Sequence, residues 1–237
     1  MAIVPFLAMT AAEMRCRSGF PPRIAWMACH FSPYGPGLSN LPHRLPSGSL
    51  LILDDVTPPH GHDPEQIARQ LIQCAETLQC CGILLDFQRC GCPETRDIAG
   101  YLTSALPCTT AVSDGYAAGL DCPVFLPPVP LSTPAEAHFA PWSGREIWLE
   151  IGLWGELLTL TDKGCTVTAL PFPDPNREGF SDPKLHCRYT IETKEKSAGF
   201  TLWRNSEDVR KLLEDAETLG VTTAIGLFQE LHRFAAQ

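Results

Sequence analysis

Apolar positions in this chain gather in short continuous runs separated by turn residues. The runs are RIAWMACHF at 23–31, SLLILDD at 49–55, GILLDF at 82–87, CTTAVSD at 108–114, CPVFLP at 122–127, REIWLEIG at 145–152 and VTTAIGLF at 221–228. Hydrophobic residues follow one another in them rather than alternate, the pattern of strands covered on both faces, as in parallel sheets. Between several runs the period lengthens to that of a helix. In HDPEQIARQLIQCAETLQ, Asp63 reads as the N-cap, Pro64 as the first helical residue and Gln66 as the answering position of a capping box. Its apolar residues Ile67, Leu71, Cys74, Ala75 and Leu78 share one face. PETRDIAGYLTSAL begins at Pro93 and stripes Ile98, Leu102 and Leu106. SEDVRKLLEDAETLG offers Ser206 as cap, acids in the first turn, an inner face of Val209, Leu212, Leu213, Ala216 and Leu219, and Gly220 for a left-handed ending.

Strand followed by helix followed by strand predicts a parallel α/β fold. Seven core strands, or eight with the N-terminal MAIVPFLAMTAAEM, favour a TIM-type (β/α)8 barrel over an open sheet. That N-terminal segment reads as a strand or arm at the edge of the fold, and residues 1–237 as a single domain. Residues 153–204 break the rhythm. LLTLTDKGCTVTAL predicts a hairpin turning at Asp162-Lys163-Gly164, and HCRYTIETKEKSAGFTLWR a second with Ser197-Ala198-Gly199 near its turn. The polar, proline-rich PFPDPNREGFSDP between them reads as a loop. Together they predict a small antiparallel β insertion on the barrel.

Composition narrows the function. With 44% hydrophobic and 19% charged residues, a chain of 237 residues buries a full core. A formal net charge of -9 without any Lys/Arg block argues against nucleic acid or an anionic membrane as partner. No apolar run reaches the ~18 residues of a membrane helix. No Lys or Arg precedes the apolar start, so a standard secretory signal is not expected and the expected location is cytoplasmic. The eleven cysteines, among them the cluster Cys80, Cys81, Cys90 and Cys92, read as reduced, small, buried residues, because disulfide frameworks belong to short secreted chains. Their C-C-x8-C-x-C spacing lacks the close pairs of structural zinc sites. Asp54 and Asp55 with His60 and His62 can be drawn as a metal constellation, but a Pro/Gly loop reads as solvent-exposed. No metal and no cofactor are therefore expected; a cysteine-based metal-binding protein is a minor alternative. Neither a glycine-rich phosphate loop nor a G-x-S-x-G elbow occurs.

One stretch carries a resemblance. CGILLDFQ, residues 81–88, resembles the fourth-strand motif D-G-x-D-x-D-x-E of the family 18 glycoside hydrolases, the chitinase-like barrels. The segment 189–228, YTIETKEKSAGFTLWRNSEDVRKLLEDAETLGVTTAIGLF, is similar to the C-terminal part of the spore-associated members that act on peptidoglycan or N-acetylglucosamine polymers. The resemblance implies a carbohydrate-acting barrel, with spore association as a second location. It implies that the last residue of the motif protonates the glycosidic oxygen and that the Asp before it steers the substrate's acetamido group, the internal nucleophile. Here Cys81 and Leu84 replace the first two Asp residues, Asp86 keeps the third, and Gln88 stands at the Glu position. A carboxamide donates a hydrogen bond but delivers no proton, and general acid–base assistance is worth ~10²–10⁴ in rate. The family's sixth-strand Met-x-Tyr-Asp is missing from CPVFLPPVP, and Phe228 stands where the last strand carries Trp.

Other strand ends offer replacements, since barrel chemistry sits where strands finish. Asp86 and Gln88 should share one face of their strand. Asp86 with Asp54, Asp55 or Glu150 would make a carboxylate pair for glycoside cleavage. These five are the catalytic candidates, and Asp114, Tyr116, Trp148, Phe228 and Gln229 the substrate-binding ones. Each has a plainer reading. Asp54 and Asp55 suit capping of their turn, Asp114-Gly115 is a common turn pair, and Glu150 suits a cross-sheet ion pair. The aromatic residues suit the core. Two functions stand open: a divergent glycoside hydrolase acting on an amino-sugar polymer, or an inactive relative that binds carbohydrate or protein.

Overall fold

The computed structural model describes residues 3–16, 19–89, 91–171, 174 and 177–232. Eight parallel strands close into a ring: β1 (Phe6–Met9), β2 (Ile24–Phe31), β4 (Leu50–Asp54), β5 (Gly82–Asp86), β6 (Thr109–Ser113), β7 (Val124–Leu126), β8 (Ile147–Ile151) and β14 (Val221–Leu227). The fold is the expected TIM-type barrel. β3 (Leu38–Ser39) adds a short antiparallel hairpin to β2.

The N-terminal segment is not an edge arm. β1 lies between β14 and β2, with Phe6 opposite Ile225 and Leu7 opposite Ile24, and all four of its residues are buried. Closing a ring abolishes edges, so β1 reads like any central strand. Phe6 and Ala8 face the lumen while Leu7 and Met9 join the layer between strands and helices, as period-two alternation requires.

Trp148, Phe125 and Phe6 fill the lumen, and Ala8, Ala25 and Ala111 make room for them. Gly82 is needed there. A Cβ on it would come 2.9 Å from the Thr109 carbonyl and 3.1 Å from the Trp148 ring.

The helical layer is uneven. α2 (Pro64–Leu78) is capped by Asp63, which accepts from the Glu65 amide, and buries Ile67, Ala68, Leu71 and Ala75. α3 (Pro93–Ala105) buries Ile98, Ala99 and Leu102. α5 (Ser206–Thr218) is capped one residue before the expected Ser206. Asn205 accepts from the Glu207 and Asp208 amides, and Asp208 answers to the Asn205 amide. The carboxylate at 208 completes that reciprocal box only with residue 205. Gly220 follows with φ 99°. α1 (Ala11–Arg15), α4 (Ala135–Phe139) and α6 (Phe228–Leu231) are each about one turn, and the connection from β2 to β4 carries β3 in place of a helix. No helix among the described residues is long and apolar enough to cross a membrane.

The insertion is a five-stranded antiparallel sheet ordered β10-β9-β13-β12-β11, with β9 (Gly155–Thr161), β10 (Gly164–Leu170), β11 (Phe180–Asp182), β12 (Cys187–Lys194) and β13 (Ser197–Trp203). The first turn falls at Asp162-Lys163 as expected. The second lies at Glu195-Lys196, because Lys194 already pairs with Ser197. The proline-rich loop contributes the edge strand β11, and residues 172, 173, 175 and 176 of it lie outside the described residues. Arg204 anchors the sheet to the barrel. Only 1% exposed, it donates to the carbonyls of Val129, Pro130, Leu185 and His186.

Candidate functional site at the barrel mouth

At the C-terminal ends of the strands lies a chamber of about 110 Å³. Asp54 from β4, Asp86 from β5 and Glu150 from β8 line it, with an apolar wall that includes Met27, Phe125 and Leu227. The register explains the convergence: Asp54 is the Cα partner of Asp86, and Glu150 that of Ile225. Each acid occupies an inward position two residues beyond a lumen residue, Ile52, Leu84 and Trp148 respectively.

The three acids differ in surroundings. Asp86 Oδ1 accepts from Gln88 Nε2 at 2.5 Å and lies 3.3 Å from Ser113 Oγ. Burial pushes its carboxyl above the usual range; the Gln88 and Ser113 contacts pull the other way, and Asp54 and Asp55 add to the rise. Glu150 is pushed up to about 7, chiefly by burial and then by the negative charges of Asp86 and Glu230. Asp54 is held by His30, whose Nδ1 lies 2.7 Å from both carboxylate oxygens, and its Oδ1 also accepts from the Val56 amide at 3.1 Å. Three acidic side chains are thus gathered in one small chamber, with the imidazole of His30 beside one of them. Such gatherings are where titration is tuned for binding or proton transfer.

No protein-family model matches the sequence, and no curated protein matches it. Solved structures do match. The spore cortex-lytic enzyme SleL of Bacillus cereus superposes with a TM-score of 0.61 at 10% identity, over 99% of this chain and 74% of that one. A chitinase of Chromobacterium violaceum gives 0.58 at 14%, over 98% and 97% of the two chains. The GH18 chitinase of Cycas revoluta, solved with (GlcNAc)3, gives 0.57 at 12%, over 98% and 97%. The fold is a TIM-type barrel similar to those of these enzymes. At these identities the likeness is one of backbone.

Asp86 ends the fourth ring strand, Gln88 follows two residues beyond its end, and their side chains touch. Asp54 and Glu150 join Asp86. Asp55 does not. It is 2% exposed, and its two oxygens accept from the Gln88 amide at 2.8 Å and the Arg89 amide at 3.0 Å. One residue past an inward position, it points out of the lumen and fixes the loop after β5.

The expected sugar contacts are placed differently from the sequence reading. Trp148 is 3% exposed at the lumen's lower end and is core, its Nε1 donating to Glu146. Tyr116 is buried behind the ring, its hydroxyl donating to the Arg89 carbonyl and its ring set edge-on to Phe87 at 6.1 Å. Phe228 opens α6, packs in the layer outside the ring and stacks on His232 at 5.0 Å. Leu227, one residue earlier and inward, takes the chamber wall. Gln229 reaches Glu13 of α1. Asp114 is exposed and accepts from the Gly115 amide at 2.7 Å. Glu230 accepts from the Leu153 amide at 2.9 Å.

His30 and Ser113 escaped the sequence reading. The one available signal was position, since Ser113 ends a ring strand and His30 is next to the end of one.

The drawn metal constellation comes apart. His60 faces Glu94 at 3.6 Å and His62 packs edge-on to Phe31. Among the described residues, no group of three or more His, Cys, Asp or Glu is placed to hold a metal ion. Contrary to the expectation of buried cysteines, among those described only Cys29 and Cys187 are buried, five are partly covered, and Cys16, Cys81 and Cys165 are exposed. Cys90 lies outside the described residues.

Proposed function

We propose that this protein binds an N-acetylated amino sugar across the barrel mouth and does not hydrolyse it by the acetamido-assisted route. The observation that carries the reading is the Gln88 carboxamide resting on Asp86 at 2.5 Å. It holds the carboxyl in place while offering no proton to a leaving group. Chamber size agrees with binding at the rim. About 110 Å³ equals roughly four waters at ~30 Å³ each, enough for a small substituent such as an acetamido group. It falls well below the ~300–1,000 Å³ of pockets that swallow a whole ligand. Structural neighbours add support. The Cycas revoluta chitinase is solved with (GlcNAc)3 and with allosamidin, and a mutant of it with (GlcNAc)4.

Calorimetric titration with N-acetylglucosamine oligomers tests this, paired with a reducing-sugar assay. Binding by the native chain, weakened at least about tenfold in Asp86→Ala and without sugar release, is the expected result. Gln88→Glu should gain measurable release. Absence of binding, or release by the native chain that survives Asp86→Ala, sinks the proposal. A second reading rests on Glu150, a carboxyl raised to about 7 in the same chamber as Asp86. Such a group can serve as proton donor near neutral pH. Release by the native chain that disappears in Glu150→Gln would favour it.

A further inference from the structure

The inserted sheet ends in an unusual edge. Among the described residues β10 pairs only with β9, and Gly164–Leu170 offers its outer backbone groups to solvent along seven residues. Edge strands are normally guarded by charge, proline, a bulge or shortness. GCTVTAL carries no charged residue and no proline, and its ladder with β9 runs from Gly164–Thr161 to Leu170–Gly155 without a register shift.

The faces of this sheet are segregated as well. Val167 lies opposite Leu158, Leu158 opposite Phe200, and Phe200 opposite Ile191. One apolar row therefore crosses four strands and runs out at the edge, where Val167 is 54% exposed, with Ile191 at 46% at its far end. Thr159, Thr166, Thr168 and Thr201 face the other way, together with Leu157.

The edge is complementary to itself. Antiparallel pairing of β10 with another β10 about Val167 sets Val167 against Val167, Thr166 against Thr168, and Cys165 against Ala169. Apolar residues then meet apolar residues on one face and threonines meet threonines on the other, pairings that stabilise a sheet. A two-fold axis normal to the sheet keeps the apolar faces on one side and continues the row into the second copy. It also sends the two barrels to opposite ends. The roots at Gly155, Leu170 and Trp203 lie at one end of the sheet and the turns at Asp162 and Glu195 at the other.

We propose that the protein forms a two-fold homodimer through β10, fusing the two insertions into one ten-stranded sheet centred on Val167. Light scattering on the full chain at tens of micromolar should give twice the chain mass of 26.0 kDa. Val167→Lys places two ammonium groups across the axis and should give the single mass with an unchanged far-ultraviolet spectrum. For geometry, Val167→Cys in a Cys165→Ser background brings two Cβ atoms within roughly 4.5–5.5 Å. It should form an interchain disulfide on mild oxidation. Leu160→Cys in the same background stays three strand spacings apart across the sheet and four residues apart along it, roughly 20 Å in all, and should not. A monomeric native chain would leave the edge for a foreign strand and overturn the proposal. So would a dimer that persists in Val167→Lys, or cross-linking no better at 167 than at 160.

Discussion

Replacing Glu150 by Gln should make the protein more stable at alkaline pH and change little at acid pH. In the folded chain this carboxyl is pushed from its ordinary value of 4.5 up to about 7. The folded state therefore holds a proton that the unfolded chain has already released at neutral pH. A raised carboxylate pKa costs stability as pH climbs. Below about pH 4 both states carry the proton and the residue is neutral in the balance. Above about pH 7.5 the folded state must bury a charge beside Asp86 and Glu230. The gap from 4.5 to about 7, at ~1.36 kcal/mol for each pH unit, amounts to about 3 kcal/mol. Gln keeps the shape of the protonated acid and removes the charge. Urea unfolding at pH 5, 6, 7 and 8 would measure the difference, and native and variant curves should diverge steadily as pH rises. At pH 8 the variant should melt roughly 6–12 °C higher, taking ~2–4 °C per kcal/mol for a chain this long. Parallel pH profiles for the two proteins would refute the reasoning, for they would show that Glu150 is hydrated or paired after all.

Two further substitutions separate scaffold from site. Asp55→Ala removes the acceptor of the Gln88 and Arg89 amides, and with two charge-assisted bonds at ~1.5–3 kcal/mol each should cost about 3–6 kcal/mol. Amide exchange at residues 88 and 89 should quicken in that variant, and unchanged exchange would count against its role as a loop pin. Phe228→Ala should lower stability by roughly 1–3 kcal/mol, less than a fully buried Phe. It should leave affinity for amino-sugar oligomers within about twofold, because its ring packs outside the barrel; a larger loss by titration would place it in the site.

The linear pattern of the chain determined a great deal. Continuous apolar runs gave the ring strands, and the longer period between them gave α2, α3 and α5 within a residue of their ends. The break at 153–204 gave an antiparallel insertion. The two-residue period of side-chain direction in any strand puts Asp54, Asp86 and Glu150 on the face of Ile52, Leu84 and Trp148. All of these depend on neighbours a few residues apart, where backbone geometry and burial repeat with a fixed period.

Tertiary structure decided what depends on register between distant segments. Ring closure made β1 a central strand, and it brought together acids that are 32 and 64 residues apart in the chain. It set His30 against Asp54, which no local period records. Parity assigned Leu227 to the chamber and Phe228 to the outer layer, and sent Asp55 into the loop that Asp54 avoids. Burial, proximity of charge and the free edge of β10 follow from where strands stop relative to one another. That stagger is fixed only when the whole ring and its attached sheet are packed.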